Sequence, residues 1–346
     1  MIGRVALRQV LAVRLALTFI ALLLFVTYKQ QAIAQAVEWP QYGLDRDTLT
    51  LQGFTNSLPD IVGPVDGSAR LTIFTEGNHY PILLPLVLDA FPKWCKETRS
   101  CTVTVEDILI VTLPQVMIVQ ALEGNGIRFG NAYLPLDRKG PVFPDLVMGG
   151  RGPLSKLAAK GLIEKEAQVF ARHRGLGILI RSDSAVKHLD DLAQAGLRLA
   201  VATPGEAGAR RQYQSTLEAL VGMQNSSKIL AADIGEFPGR LGIQHRDVPY
   251  ALLNDRADAG IIFDHLAAFY AQAYPDSLRH VAVPDAAPFG EEIAVARALP
   301  SELSEAFLTF FMAAAPEAYA RAGFYPADEF EFGRRVALND LGTPRE

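Results

Sequence analysis

Cysteine is nearly absent from this chain. The only two in 346 residues are Cys95 and Cys101, with five residues between them in WCKETRSC. That scarcity excludes a small disulfide-scaffolded fold and a cysteine-rich zinc site. The spacing also lacks the two-residue gap of a metal half-site or redox pair, so in an oxidising compartment the pair reads as one local disulfide. An excess of positive charge is missing too: 33 Lys and Arg stand against 38 Asp and Glu, a formal net charge of −5. An acidic surface argues against nucleic acid or an anionic membrane face as partner. There is no low-complexity tract and no internal repeat. The sequence also has no GxSxG elbow, HExxH, P-loop or dinucleotide-binding glycine fingerprint. Gly149-Gly150-Arg151-Gly152 is rich in glycine but lacks the wider motif of any of these. An enzyme is therefore not expected, a hydrolase assembled from scattered Ser, His and Asp being the remaining catalytic alternative, and no cofactor is implied.

What is present begins with an export signal. Arg4, Arg8 and Arg14 precede the apolar run Leu15 to Val26, and Ala34-Gln35-Ala36 follows as a small-x-small site. A charged start, a short apolar stretch and such a site make a secretory signal peptide over residues 1–36. The apolar run is well short of the roughly twenty residues of a bilayer span. An uncleaved anchor is the alternative, and with it a membrane-tethered sensor. Cleavage would remove four basic side chains and no acid, taking the charge from −5 to −9. The remaining 310 residues are enough for two lobes.

Residues 37–68 are rich in turn formers and read as an N-terminal extension. Beyond them, short apolar runs alternate with helical patterns. Strands are expected at Leu71 to Thr75, Cys101 to Val105, Asp145 to Met148, Gly177 to Ile180, Leu197 to Ala202, Ala259 to Phe263, His280 to Val283 and Glu292 to Ala296. Helices are expected at Tyr80 to Trp94, Gln115 to Glu123, Pro153 to Lys160, Leu189 to Ala195, Glu206 to Val221, Val248 to Asn254, Ser301 to Ala314 and Glu317 to Ala322. Gly124 to Pro144 reads as loop. The alternation implies parallel sheets covered by helices on both faces.

Five segments in order carry a resemblance: LTIFTEGNHYPILLPLVLDAF, PDLVMGGRGPLSKLAAKGLI, GLGILIRSDSAVKHLDDLAQAGLRLAVATPGEAG, DVPYALLNDRADAGIIFDHLA and FLTFFMAAAPEAYARAGFYP. Together they resemble the periplasmic solute-binding proteins of ABC importers, the molybdate-binding type in particular. The resemblance implies an α/β, two-lobed periplasmic-binding-protein type II fold. In it each lobe is a mainly parallel sheet flanked by helices, and crossing strands join the two. It places one lobe at 69–176 plus 284–346 and the other at 177–283. It further implies a monomer in the periplasm, a small ligand closed between the lobes, and an ABC permease in the inner membrane as partner.

In open α/β sheets ligands lie outside the carboxyl ends of strands, where helix N-termini favour anions. Four loops qualify: Thr75 to His79, Gly149 to Arg151, Thr203 to Ala207, and Asp264-His265, with the Val248 N–H beside them. Set against the family pattern, the expected contacts to a molybdate-like oxyanion are Thr75, Asn78, Gly149, Gly150, Arg151, Thr203, Ala207 and Val248. Several family positions are altered. Asn78 stands for a serine, Phe263 for a tyrosine, and Thr112 is the sole hydroxyl near the second serine loop. Glu76, His79, Asp264 and His265 offer a different reading, an N/O metal site, and a small organic solute is the other alternative to an oxyanion. The bland reading has Glu76 facing solvent or capping a helix and His265 bonding locally. Arg210 is open between a solvated, a cleft-edge and a ligand-pairing residue, and His173, His188, His245 and His280 read as structural.

Overall fold

The structure is a computed structural model and describes residues 60–99, 101–129, 132–140, 142–194, 196–202, 207–235, 245, 247–326 and 328–338. The expected signal peptide and most of the expected extension lie outside them. In chain order the strands are β1 (Asp60–Val62), β2 (Leu71–Thr75), β3 (Ile108–Thr112), β4 (Gly126–Phe129), β5 (Ala132–Pro135), β6 (Leu146–Gly150) and β7 (Glu166–Arg172). They continue with β8 (Leu176–Arg181), β9 (Leu199–Val201), β10 (Ala259–Phe263), β11 (Leu278–Val281), β12 (Glu292–Arg297) and β13 (Arg335–Ala337). The helices are α1 (residues 80–99), α2 (Gln115–Glu123), α3 (Arg151–Ala159), α4 (Ala207–Ala231), α5 (Asp247–Leu253), α6 (Asp264–Ala273) and α7 (Glu302–Arg321).

Seven strands make the first sheet, in the order β1-β3-β2-β6-β12-β7-β13, and four make the second, β11-β8-β10-β9. β2 runs parallel to both β3 and β6, and β10 parallel to β9. β12 returns antiparallel between β6 and β7, and β8 antiparallel between β10 and β11. β2, β3, β6 and β10 are buried along their whole length, as strands with a covered face on both sides must be. Around the first sheet Phe74, Leu109, Val111, Ile118, Leu122, Val147, Leu154 and Val169 form one core. The chain passes between the sheets twice, from β7 to β8 and from β11 to β12. The two crossings are zipped: His173 N–H donates to Glu291 O at 3.2 Å, and Glu291 N–H to the His173 ring at 3.1 Å.

Several expectations need correction. Cys101 to Val105 is not a strand. Cys101 is drawn back to Cys95 by a disulfide and by its N–H on Cys95 O at 3.3 Å. A Thr104–Asp107 capping box then turns the chain into the wholly buried β3. Residues 124–144 are not all loop, since β4 and β5 pair as an antiparallel ribbon. The two closing helices are one, because α7 runs through Pro316. The helix expected to end at Gly222 does break there, at φ 78°, and what was not expected is a further helical stretch from there to Ala231. Asp60–Val62 of the expected extension pairs with β3 at the sheet edge.

Candidate functional site

Three helices in the first half begin where buried parallel strands end. After β2 a short turn carries Glu76, Gly77, Asn78 and His79. After β3, Pro114 leads into α2 at Gln115, and after β6 Gly150 leads directly into α3 at Arg151. Hydrogen bonds join these three points. Glu76 is 6% exposed. Its Oε2 accepts from Asn78 Nδ2 at 2.8 Å and from Gln115 Nε2 at 3.2 Å. Gln115 Oε1 in turn accepts from Gly150 N–H at 3.1 Å. A Cβ on Gly150 would lie 3.2 Å from that Gln115 oxygen, so glycine there admits the side chain. Sequence reasoning missed Gln115. The one signal for it was its place at a helix start following a buried strand.

Thr75 is fully buried beneath this turn. Its hydroxyl donates to Glu76 O at 3.1 Å and meets His79 Nε2 at 2.7 Å, while His79 Nδ1 meets Tyr319 Oη of α7 at 2.5 Å. One hydroxyl proton and one imidazole proton allow a single consistent assignment. Tyr319 donates to Nδ1, Nε2–H donates to Thr75, and Thr75 donates to the Glu76 carbonyl. Burial, and next the His265 ring, hold His79 at about 3, so it is neutral. Burial and then the Glu76 carboxylate push the Tyr319 phenol up.

The second half reaches the same turn through α6. His265 is buried, and its Nε2–H donates to Asn78 O at 2.9 Å. Its Nδ1 is buried and without a hydrogen-bond partner among the described residues. Burial holds this ring at about 4 although the Asn78 carbonyl and Asp264 pull the other way. Rings enclose it: Phe324 at 4.2 Å, Phe263 at 5.8 Å and His173 at 6.3 Å. Phe263 also stacks on His245 at 4.7 Å.

The other expected site residues lie as follows. Arg151 is exposed at the first position of α3. Gly149 and Gly150 are buried at the end of β6. Val248 is fully buried, is packed against Gly260 of β10, and directs its N–H at His245 O at 3.4 Å. Thr203 lies outside the described residues, and of Ala207 only its place at the start of α4 is described. Arg210 pairs with Asp233 at 2.6 Å, which answers the open question about it.

The four residues of the metal reading do not converge as ligands. Both ring nitrogens of His79 have partners, His265 turns Nε2 to a carbonyl, and Asp264 accepts from His280 at 2.8 Å. Among the described residues no group of three or more His, Cys, Asp or Glu side chains is placed to hold a metal ion. Glu76 neither faces solvent nor caps the following turn with its side chain, so the bland reading of it fails as well.

Two sheets crossed twice by the chain, with loops from both meeting at Asn78, define a two-lobed binding protein of the type II periplasmic fold. Residues 138–325, more than half of the chain, match the family model of the bacterial extracellular solute-binding proteins, and the chain belongs to that family. Its members are solute-binding proteins of transport rather than enzymes. No curated protein matches the chain in sequence. Among solved structures, the sulfate-binding protein of Mycobacterium tuberculosis is similar at 15% identity and a TM-score of 0.51, over 78% of this chain and 92% of that one. The substrate-binding protein of an ABC transporter from Agrobacterium tumefaciens is similar at 14% identity and a TM-score of 0.51, over 83% and 86%. The periplasmic molybdate-binding protein of Azotobacter vinelandii shares 12% identity at a TM-score of 0.46, over 74% and 99%. At these identities the likeness is one of fold. No helix among the described residues is long and apolar enough to cross a membrane.

Proposed function

We propose that this chain is the exported, periplasmic solute-binding component of an ABC importer, and that it closes on one small ligand between its lobes. In this reading residues 1–36 are the signal peptide, 69–176 with 284–346 the first lobe, and 177–283 the second. The observation that carries it is the hydrogen-bonded meeting of both halves at the turn after β2, with His265 on Asn78 O and Asn78 on Glu76. Lobes that close on ligand present a distinct face to a permease.

The same geometry orders the ligand classes. A molybdate-type oxyanion has Arg151 and the helix starts in its favour. Against it, Thr75, Gly150 and Val248 each direct their donor within the protein, and a carboxylate stands among them. A carboxylate at Glu76 disfavours an oxyanion beside it. A small organic solute therefore fits this turn better than a tetrahedral oxyanion.

Thermal unfolding of ligand-stripped protein against a panel tests both levels. The panel holds molybdate, tungstate, sulfate and phosphate, divalent metals with and without chelator, organic acids, and mono- and diamines. A solute at a thousand times its dissociation constant stabilises by about 4 kcal/mol, a shift of several degrees. A shift with an organic compound and none with the oxyanions is expected. A shift with molybdate or tungstate alone restores the oxyanion reading, and no shift with any compound counts against solute binding.

A further inference from the structure

His265 was expected as a metal ligand or a locally bonded residue, and it is neither. It opens α6 in the half built on the second sheet, yet its one ring proton goes to the carbonyl of Asn78 in the half built on the first, at 2.9 Å. From Asn78 the bonds run on without a gap. The amide of Asn78 reaches Glu76 at 2.8 Å, Gln115 reaches the same carboxylate oxygen at 3.2 Å, and Gly150 N–H reaches Gln115 at 3.1 Å. The string thus touches every strand-to-helix turn of the first half that faces the expected ligand. The ring itself is seated. Phe324 packs on it at 4.2 Å, and a Cβ on the neighbouring Gly323, at φ 91°, would lie in ordinary contact with the His265 Cβ at 3.9 Å. Neither Phe324 nor Gly323 belongs to the second sheet. Packing and a hydrogen bond therefore fix one imidazole from two sides, both in the opposite half.

We propose that His265 is a positioning residue that couples the arrangement of the ligand turn at residues 76–79 to closure of the two halves. The proposal rests on the solute-binding reading, but it makes a claim about the empty protein. When the Nε2 bond to Asn78 forms, the halves are held together and the Asn78–Glu76–Gln115–Gly150 string is set in its described geometry. When it breaks, both are released. A ligand engaging Glu76 or Gln115 then acts on closure through Asn78 without touching α6.

Two substitutions separate the bond from the packing. His265→Phe keeps a ring against Phe324 and removes the donor, and His265→Gln keeps a side-chain N–H donor. Small-angle scattering of the solute-free protein reads closure, and amide hydrogen exchange over residues 76–79 reads the turn. We expect His265→Phe to enlarge the radius of gyration and to speed exchange at 76–79 by about fivefold, the equilibrium factor of one ordinary net hydrogen bond. His265→Gln should restore both. A His265→Phe protein that matches the wild type, or a His265→Gln protein that behaves like His265→Phe, overturns the proposal. Should His265→Phe not fold, Asn78→Ala gives a second reading, since it leaves the carbonyl in place and cuts only the next link. It should speed exchange at 76–79 and, because coupling is reciprocal, enlarge the radius of gyration as well, and an unchanged radius would overturn the coupling. Neither measurement uses a solute, so a failed ligand panel and a failed coupling are told apart.

Discussion

Three of the buried histidines make this protein less stable in acid. Burial, with like-charged neighbours, holds His79 at about 3 and His173 well below its ordinary value, and burial holds His265 at about 4. Unfolding restores each to about 6.5. Between those limits the unfolded chain binds more protons than the folded one, so stability rises with pH across the window. It is complete above about 6.5 and is lost as pH falls toward 4. Urea midpoints measured from neutral pH down to about 4 should fall steadily, and His79→Gln should flatten the slope even though it costs stability at neutral pH. An unchanged slope would mean that His79 does not titrate between the two states. At this scale the sequence showed the chemistry but not the partners. Glu76, His79 and His265 stood out as residue types in a ligand turn. Their roles depend on Tyr319, more than two hundred residues along the chain from His79, and on a carbonyl, which no side-chain pattern reveals.

Among the elements, buried runs were readable in part: no strand was expected at Ile108–Thr112 or Glu166–Arg172, although ILIVT is buried throughout. LTIFT, AGIIF and the stretch around LVMGG are strands at or close to the expected bounds, since a short apolar run between turn formers has few other uses. Local breakers were the least readable. Pro316 suggested two helices, and a proline inside a helix costs about 3 kcal/mol. Here Phe307, Leu308, Phe310, Phe311 and Tyr319 on one helix bury a face whose burial is worth roughly 1.5–3 kcal/mol per large side chain, so the helix runs on. In CTVTV the alternation was real, but a covalent tie overrode it. That tie has a measurable worth. Cys95 and Cys101 are six residues apart in sequence, and closing so small a ring stabilises by about 2 kcal/mol in the chain-entropy account. The Cys95→Ser, Cys101→Ser double variant should lose about that much in chemical denaturation. Reductant should lower the wild type by the same amount and leave the variant unmoved.

For the molecule as a whole, the zipped crossings at His173 and Glu291 and the Gln212 bond to Phe289 O at 2.9 Å tie the halves at several points. They should therefore unfold together. Trp94 lies in α1 of the first half, so in a Trp39→Phe background fluorescence reports the first half while circular dichroism reports both. Coincident urea curves are expected, and separated curves would show independent halves. The doubly crossed architecture was legible from the order of five motifs, whereas the meeting of His265 with Asn78 needed coordinates. The strand order also bears on the sequence of events in the cell. β8 to β11 come from one continuous stretch, residues 176–281, but the first sheet needs strands from both ends of the chain, β12 and β13 included. In the proposed export from the amino end, the whole second sheet is delivered while the first still lacks its returning strands. The inner, later stretch can then fold first, and the earlier one waits with open edges until residue 337 has emerged.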